Sequence, residues 1–100
     1  MAATKVGGLS EELKQPNATV QEICEKIRPE VENKLGQSLE DFKPVNYRTQ
    51  VVNGVNYFIK VQVGADQYIH VRAHKSIGGD ISFVALQVNK SLDDQLEHFD

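Results

Sequence analysis

Cysteine is nearly absent from this chain. Cys24 stands alone among 100 residues, which excludes an internal disulfide and a structural zinc site built on cysteines. Such usage suits a reducing compartment. An excess of charge of one sign is lacking too: eleven Lys and Arg against fourteen Asp and Glu leave a net charge of -3. With no basic block or long acidic tract, nucleic acid and an anionic membrane are poor partners. No segment approaches the ~20 consecutive apolar residues of a membrane span, and residues 1–8 lack the apolar run of a signal peptide. A cytoplasmic protein is expected. Repeats and low-complexity tracts are also missing. The length matches one domain, 1–100, able to bury roughly 65% of its unfolded surface around a single core.

What the chain does contain is two periodicities in succession. Residues 1–10 hold few large apolar groups and carry Gly7-Gly8 between Val6 and Leu9, so a flexible arm is expected over about 1–8. From Asn17 onward Val20, Ile23, Cys24, Ile27, Val31 and Leu35 recur at spacings of three and four, which predicts an amphipathic helix with one buried face. Thr19 with Glu22 fits a capping box and Asn17 is a rival cap; Gly36 suits a left-handed stop. Pro29 cannot donate to the helical ladder, and the stripe resumes in phase at Val31, so a kink near 25–28 is expected, not a break. Cys24 lies on the apolar face as packing. Asn17-Ala18-Thr19 and Asn89-Lys90-Ser91 match the glycosylation sequon, but without a secretory signal capping is the better reading of the first.

After Gly36 the period changes from 3.6 to 2. Strands are expected at 45–52, 55–63, 67–75 and 81–88. Val45, Tyr47, Thr49 and Val51 share one face of the first, and Val55, Tyr57, Ile59, Val61 and Val63 one face of the second. In the third, Ile69, Val71 and Ala73 oppose Tyr68, His70, Arg72 and His74. Asn53-Gly54 predicts a two-residue hairpin turn with positive φ at both positions. Val51 and Val52 must then point to opposite faces, which leaves at least one of them exposed. Gly64-Ala65-Asp66 and the stretch 76–80, with Gly78-Gly79, supply the remaining reversals. A helix followed by an antiparallel meander is an α+β domain with the helix laid across the sheet.

Chemistry finds little support. His70 and His74 sit four residues apart on a strand, a span of ~13 Å, too far to share one ion. Asp93-Asp94 lacks an apolar setting, no nucleophile has a positioned base, and Gly78-Gly79 has no following helix to cradle a phosphate. No enzyme, metal or cofactor is expected.

Gln50-Val51-Val52-Asn53-Gly54 is similar to the Gln-Val-Val-Ala-Gly signature of cystatins. The likeness extends to Gly7-Gly8-Leu9-Ser10, Ile27-Arg28-Pro29, Tyr47-Arg48-Thr49, Asn56-Tyr57-Phe58-Ile59-Lys60-Val61 and the ending Asp93-Asp94-Gln95-Leu96-Glu97-His98-Phe99. Together these segments resemble stefins, the single-domain intracellular branch, over nearly the whole chain. The resemblance implies a four- to five-stranded antiparallel sheet wrapped around one long kinked N-terminal helix. It also implies reversible, competitive inhibition of papain-like cysteine proteases such as cathepsins. By position it implies a three-part wedge: the arm with Val6, Gly7 and Gly8 on the unprimed side of the protease cleft, Gln50, Val51, Val52, Asn53 and Gly54 at its middle, and Ser76, Ile77 and Gly78 on the primed side. Asn53 replaces the usual alanine, and Ile77-Gly78 stands where stefins commonly have Leu-Pro, in a shorter hairpin. A monomer is expected, with hairpin exchange as a route to a domain-swapped dimer. An interaction module of the same fold without inhibition is the alternative.

Overall fold

The computed structural model describes residues 13–99. The expected arm, with Val6, Gly7 and Gly8, lies outside the described residues.

Helix α1 spans Ala18–Leu35 and is capped by Asn17, not by Thr19. The Asn17 backbone is extended (φ -129°, ψ -176°), its side chain accepts the Val20 N–H at 2.9 Å, and its carbonyl accepts the Gln21 N–H at 3.0 Å. The first turn is therefore closed before Thr19, which becomes a helical residue. Asn17 Nδ2 also donates to the Tyr47 hydroxyl at 3.0 Å, tying the helix start to the sheet. The helix continues through Pro29, whose side is exposed. At the other end Gly36 takes φ 76°; its N–H reaches the carbonyls of Glu32 and Asn33, and the Gln37 N–H reaches Glu32, the double closure of a Schellman motif.

Four strands follow in a meander, β1 (Lys43–Val52), β2 (Gly54–Gly64), β3 (Gln67–Lys75) and β4 (Ile81–Lys90), paired antiparallel in that order. The ladder of β1 passes from Pro44↔Val61 to Asn46↔Lys60, so Val45 is a bulged residue. Val45 was expected to share the Tyr47 face; Pro44 takes that place instead, tolerable because β1 is an edge strand in the described sheet and the ring needs no donor. Lys14 pairs with Tyr47 as an isolated bridge along this edge, through bonds of 2.9 and 3.0 Å. Strand β4 skips a residue between Ala73↔Phe83 and Arg72↔Ala85, and another between His70↔Gln87 and Tyr68↔Lys90, near Asn89 at φ 59°. Such bulges sharpen the twist and curl β4 toward the helix.

The inner face of the sheet carries the main core. Val20, Ile23, Cys24, Ile27 and Val31 of α1 pack against Tyr47, Ile59, Val61, Ile69, Val71 and Ala73. Burial pushes the Cys24 thiol up to about 12, with Glu25 adding to the shift, so it stays protonated as packing.

The outer face is covered as well, by residues 91–99. Leu96 and Phe99 bury Phe58, whose ring meets that of Phe99 edge-on at 5.6 Å. Cations from three strands bind this segment by its backbone. Arg48 Nη1 donates to the Leu96 carbonyl at 3.2 Å and Arg72 Nη1 to the Phe99 carbonyl at 2.9 Å. Lys60 Nζ donates to the carbonyls of Ser91, Leu92 and Asp94. Lys60 is 2% exposed, and burial lowers its pKa while Asp94 and Asp93 oppose that shift. A buried ammonium with all three hydrogens placed on carbonyls is satisfied, which is why this polar clasp is tolerated under an apolar lid.

Candidate functional site

The β1–β2 hairpin ends in a tighter tip than the Asn53-Gly54 dipeptide suggests. Val51 pairs with Val55 and Val52 with Gly54, leaving Asn53 alone at the apex. Gly54 takes φ 96°, but Asn53 keeps a negative φ, so the two-residue turn with positive φ at both positions is not formed. Gly54 is absorbed into the β2 ladder instead. A Cβ there would lie 2.6 Å from the Lys75 carbonyl oxygen and 2.8 Å from His74 Nε2, so the conformation and the space both demand glycine. His74, on the adjacent strand, approaches the Asn53 carbonyl with Nε2 at 2.9 Å. A carbonyl only accepts, so this nitrogen carries the hydrogen. The tip is thereby braced from β3.

The five residues of this tip divide by role. The Gln50 side chain is 9% exposed and its Oε1 accepts from Asn56 Nδ2, its cross-strand neighbour, at 2.7 Å. It holds the strands together below the apex and is not part of an outward surface. Val51 is 71% and Val52 44% exposed. Both valines of the pair thus face solvent, beside the apex of the hairpin. Strand propensity and alternation give no warning of this; only the position beside the apex does.

The second loop stands next to it. Ser76 N–H donates to the Asp80 carbonyl at 2.8 Å, Gly79 N–H to the Ser76 carbonyl at 2.9 Å, and Asp80 N–H to Ser76 Oγ at 3.0 Å. Ser76 therefore closes a compact reversal without the proline common at this place, and Gly78 sits exposed within it. Ile77, at the crest, is 82% exposed. Val51, Val52, Val55, Tyr57, Ser76 and Ile77 line one shallow, mainly apolar notch between the two tips. Gln50 through Gly54 and Ser76 through Gly78 thus come together at one end of the molecule, despite the shortened hairpin. The Tyr57 hydroxyl has a raised pKa, from burial and then from Tyr47, so it remains a neutral donor there.

Elsewhere the described residues hold no group of three or more His, Cys, Asp and Glu arranged for a metal ion, and among them no helix is long and apolar enough to cross a membrane. His70 is fully buried under residues 91–99, and neither ring nitrogen has a hydrogen-bond partner. It is closed off from any substrate.

The cystatin domain pattern matches residues 8–93. The chain belongs to the cystatin family. It is 41% identical over 96 residues to human Cystatin-A, covering 93% of this chain and 97% of the relative, and 40% identical over 95 residues to mouse Stefin-2, covering 93% and 91%. To the pig Leukocyte cysteine proteinase inhibitor 1 it is 38% identical over 96 residues, covering 93% and 92%. It is a stefin-type cystatin, an α+β fold of one helix on a four-stranded antiparallel sheet among the described residues, and its family consists of inhibitors, not enzymes.

Proposed function

We propose that this cystatin inhibits papain-like cysteine proteases of the cathepsin class, reversibly and in competition with substrate, by wedging one end of the molecule into the active-site cleft. Val51, Val52, Asn53 and Gly54 enter at the middle, Ser76, Ile77 and Gly78 lean on the primed side, and Val6, Gly7 and Gly8 lie along the unprimed side. Gln50 supports the first loop from within. The observation that carries this reading is the apolar notch shared by two loops held by hydrogen bonds, the first braced from β3 by His74 and the second closed within itself by Ser76. Loops already in their bound shape lose little entropy on docking. The name of the pig relative supports the target class.

Inhibition of this kind needs no reaction. A protease cleaves a peptide whose carbonyl sits at its thiolate with oxyanion donors aligned; a wedge that fills the cleft while holding its peptide bonds off the sulfur only excludes substrate. Val51, Val52 and Ile77 expose 71%, 44% and 82% of their surface, close to two whole aliphatic side chains. Burying that much contributes roughly 3 to 6 kcal/mol before the cost of association. Nanomolar binding needs about 12 kcal/mol net of that cost, so the arm and main-chain contacts must supply the larger share. The protein acts as a cytoplasmic monomer in this reading. The test is the inhibition constant against papain and a cathepsin; full protease activity at micromolar protein would leave only a cystatin-fold interaction module.

A further inference from the structure

We propose that Asn53-Gly54 is a self-modification site, at which the apex of the first loop deamidates through a cyclic imide and so retires the docking edge. Asn53 is the only asparagine in the sequence followed by glycine. It is exposed at the apex, and its side-chain amide has no hydrogen-bond partner among the described residues. Glycine offers no Cβ to shield the attacking backbone nitrogen. The third element is His74, whose Nε2–H lies 2.9 Å from the Asn53 carbonyl oxygen. When the Gly54 N–H is lost, the charge of the resulting amide anion resides largely on that oxygen, and a donor already in place stabilises it.

The step balances without any oxidant or cofactor. Solvent base takes the Gly54 N–H proton; the nitrogen attacks Asn53 Cγ, forming the N–Cγ bond; the Cγ–Nδ2 bond breaks and ammonia leaves with a proton from solvent. Water then adds to either carbonyl of the five-membered imide and opens it, giving aspartate or the isoaspartyl linkage, in which an extra methylene enters the main chain. Either product places a carboxylate at the apex, next to Val52 and Gly54 of the notch, and the second also displaces the apex. Desolvating that charge opposes docking. The chemistry does not depend on the inhibitory function; its consequence for inhibition rests on that reading.

Asn56 is the internal control. It precedes Tyr57, is 5% exposed, and its amide is held by Gln50. Both asparagines fall in one tryptic peptide, residues 49–60, bounded by Arg48 and Lys60. The full chain is incubated at neutral pH and body temperature, and samples are taken over days for peptide mass spectrometry and for a papain inhibition assay. Expected are loss of the Asn53 amide alone, both products, and loss of inhibition in step with conversion. Asn53→Ala, whatever inhibition it starts with, keeps it through the incubation. His74→Phe, lacking the donor, slows conversion, and His74→Gln, which restores an N–H donor, recovers part of the rate. The proposal is overturned if the Asn53 amide survives as long as that of Asn56, or is lost no faster than that of exposed Asn33. An unchanged rate in His74→Phe removes His74 from the assignment. Conversion without loss of inhibition overturns the claim that the site retires the edge, whereas absence of inhibition from the start overturns the inhibitory reading alone.

Discussion

Acid weakens this fold in an interval set by His70. The residue lies on β3 with no exposed surface and with both ring nitrogens unpartnered. Around it stand Lys60 across the ladder on β2, Lys90 on β4 and Asp94 in the covering segment. Burial first, then Lys60 and Lys90, hold its pKa down to about 4 from 6.5, against the weaker pull of Asp94. Between those values the unfolded chain binds a proton that the folded chain refuses, so stability rises with pH across the interval. The contribution is fully present above 6.5, falls away as the pH drops, and is gone below about 4. The gap corresponds to roughly 3 kcal/mol, a large part of the ~5–15 kcal/mol of a typical domain. Glu32 and Asp94 are also held below the usual carboxylate values, each first by a backbone N–H, from Leu39 and Ser91, so their losses come at lower pH. The assay is urea unfolding at intervals from 6.5 to about 4, for the wild type and for His70→Leu, which keeps volume and removes the titration. The wild type loses stability through the interval and the variant stays nearly level. An equal slope for both refutes the assignment to His70.

Three further outcomes follow from the same geometry. Val52→Asp puts a charge where the notch must be desolvated and weakens binding to papain by about 2–3 kcal/mol, or thirty- to two-hundredfold, without lowering the urea midpoint; unchanged inhibition would remove Val52 from the contact. Deleting residues 1–7 weakens inhibition mainly through faster dissociation, since contacts made by the arm hold the complex more than they guide encounter; an unaltered off-rate contradicts its role. Ending the chain after Asp94 removes Leu96 and Phe99, uncovers Phe58 and frees Arg48 and Arg72 from their carbonyls, at a cost of about 4–6 kcal/mol read by urea unfolding; a loss below 1 kcal/mol would mean the outer lid is dispensable.

The helix and the meander were legible because each obeys one period: the stripe from Val20 to Leu35, and the alternation through Ile59, Val61, Ile69, Val71 and Ala73, all land on the inner core. Asn17 against Thr19 could not be decided from spacing, since both precede the stripe; the Tyr47 hydroxyl on Asn17 Nδ2 is a tertiary contact that favours one of them. The bulge at Val45 was invisible for the same reason: alternation counts residues and cannot see an extra one. The outer lid was the larger omission. Its signal lay in Phe58, an aromatic on the otherwise polar face of β2, and in the apolar pair Leu96 and Phe99 beyond the last strand, which have nothing to bury except each other and that ring. At the candidate site, a reversal near Asn53-Gly54 and the exposure of at least one of Val51 and Val52 could be read from Gln50 to Gly54, but the one-residue apex, the exposure of both valines, the inward turn of Gln50 and the brace from His74 depend on which residues the register sets side by side.

The measurement that bears most directly on the function is the steady-state inhibition of papain and of a cathepsin by the full chain, as a function of substrate concentration. A wedge in the cleft gives competitive, reversible inhibition below micromolar protein, weakened by Val52→Asp and relieved by dilution. Full protease activity at micromolar protein, or inhibition indifferent to substrate concentration, contradicts it.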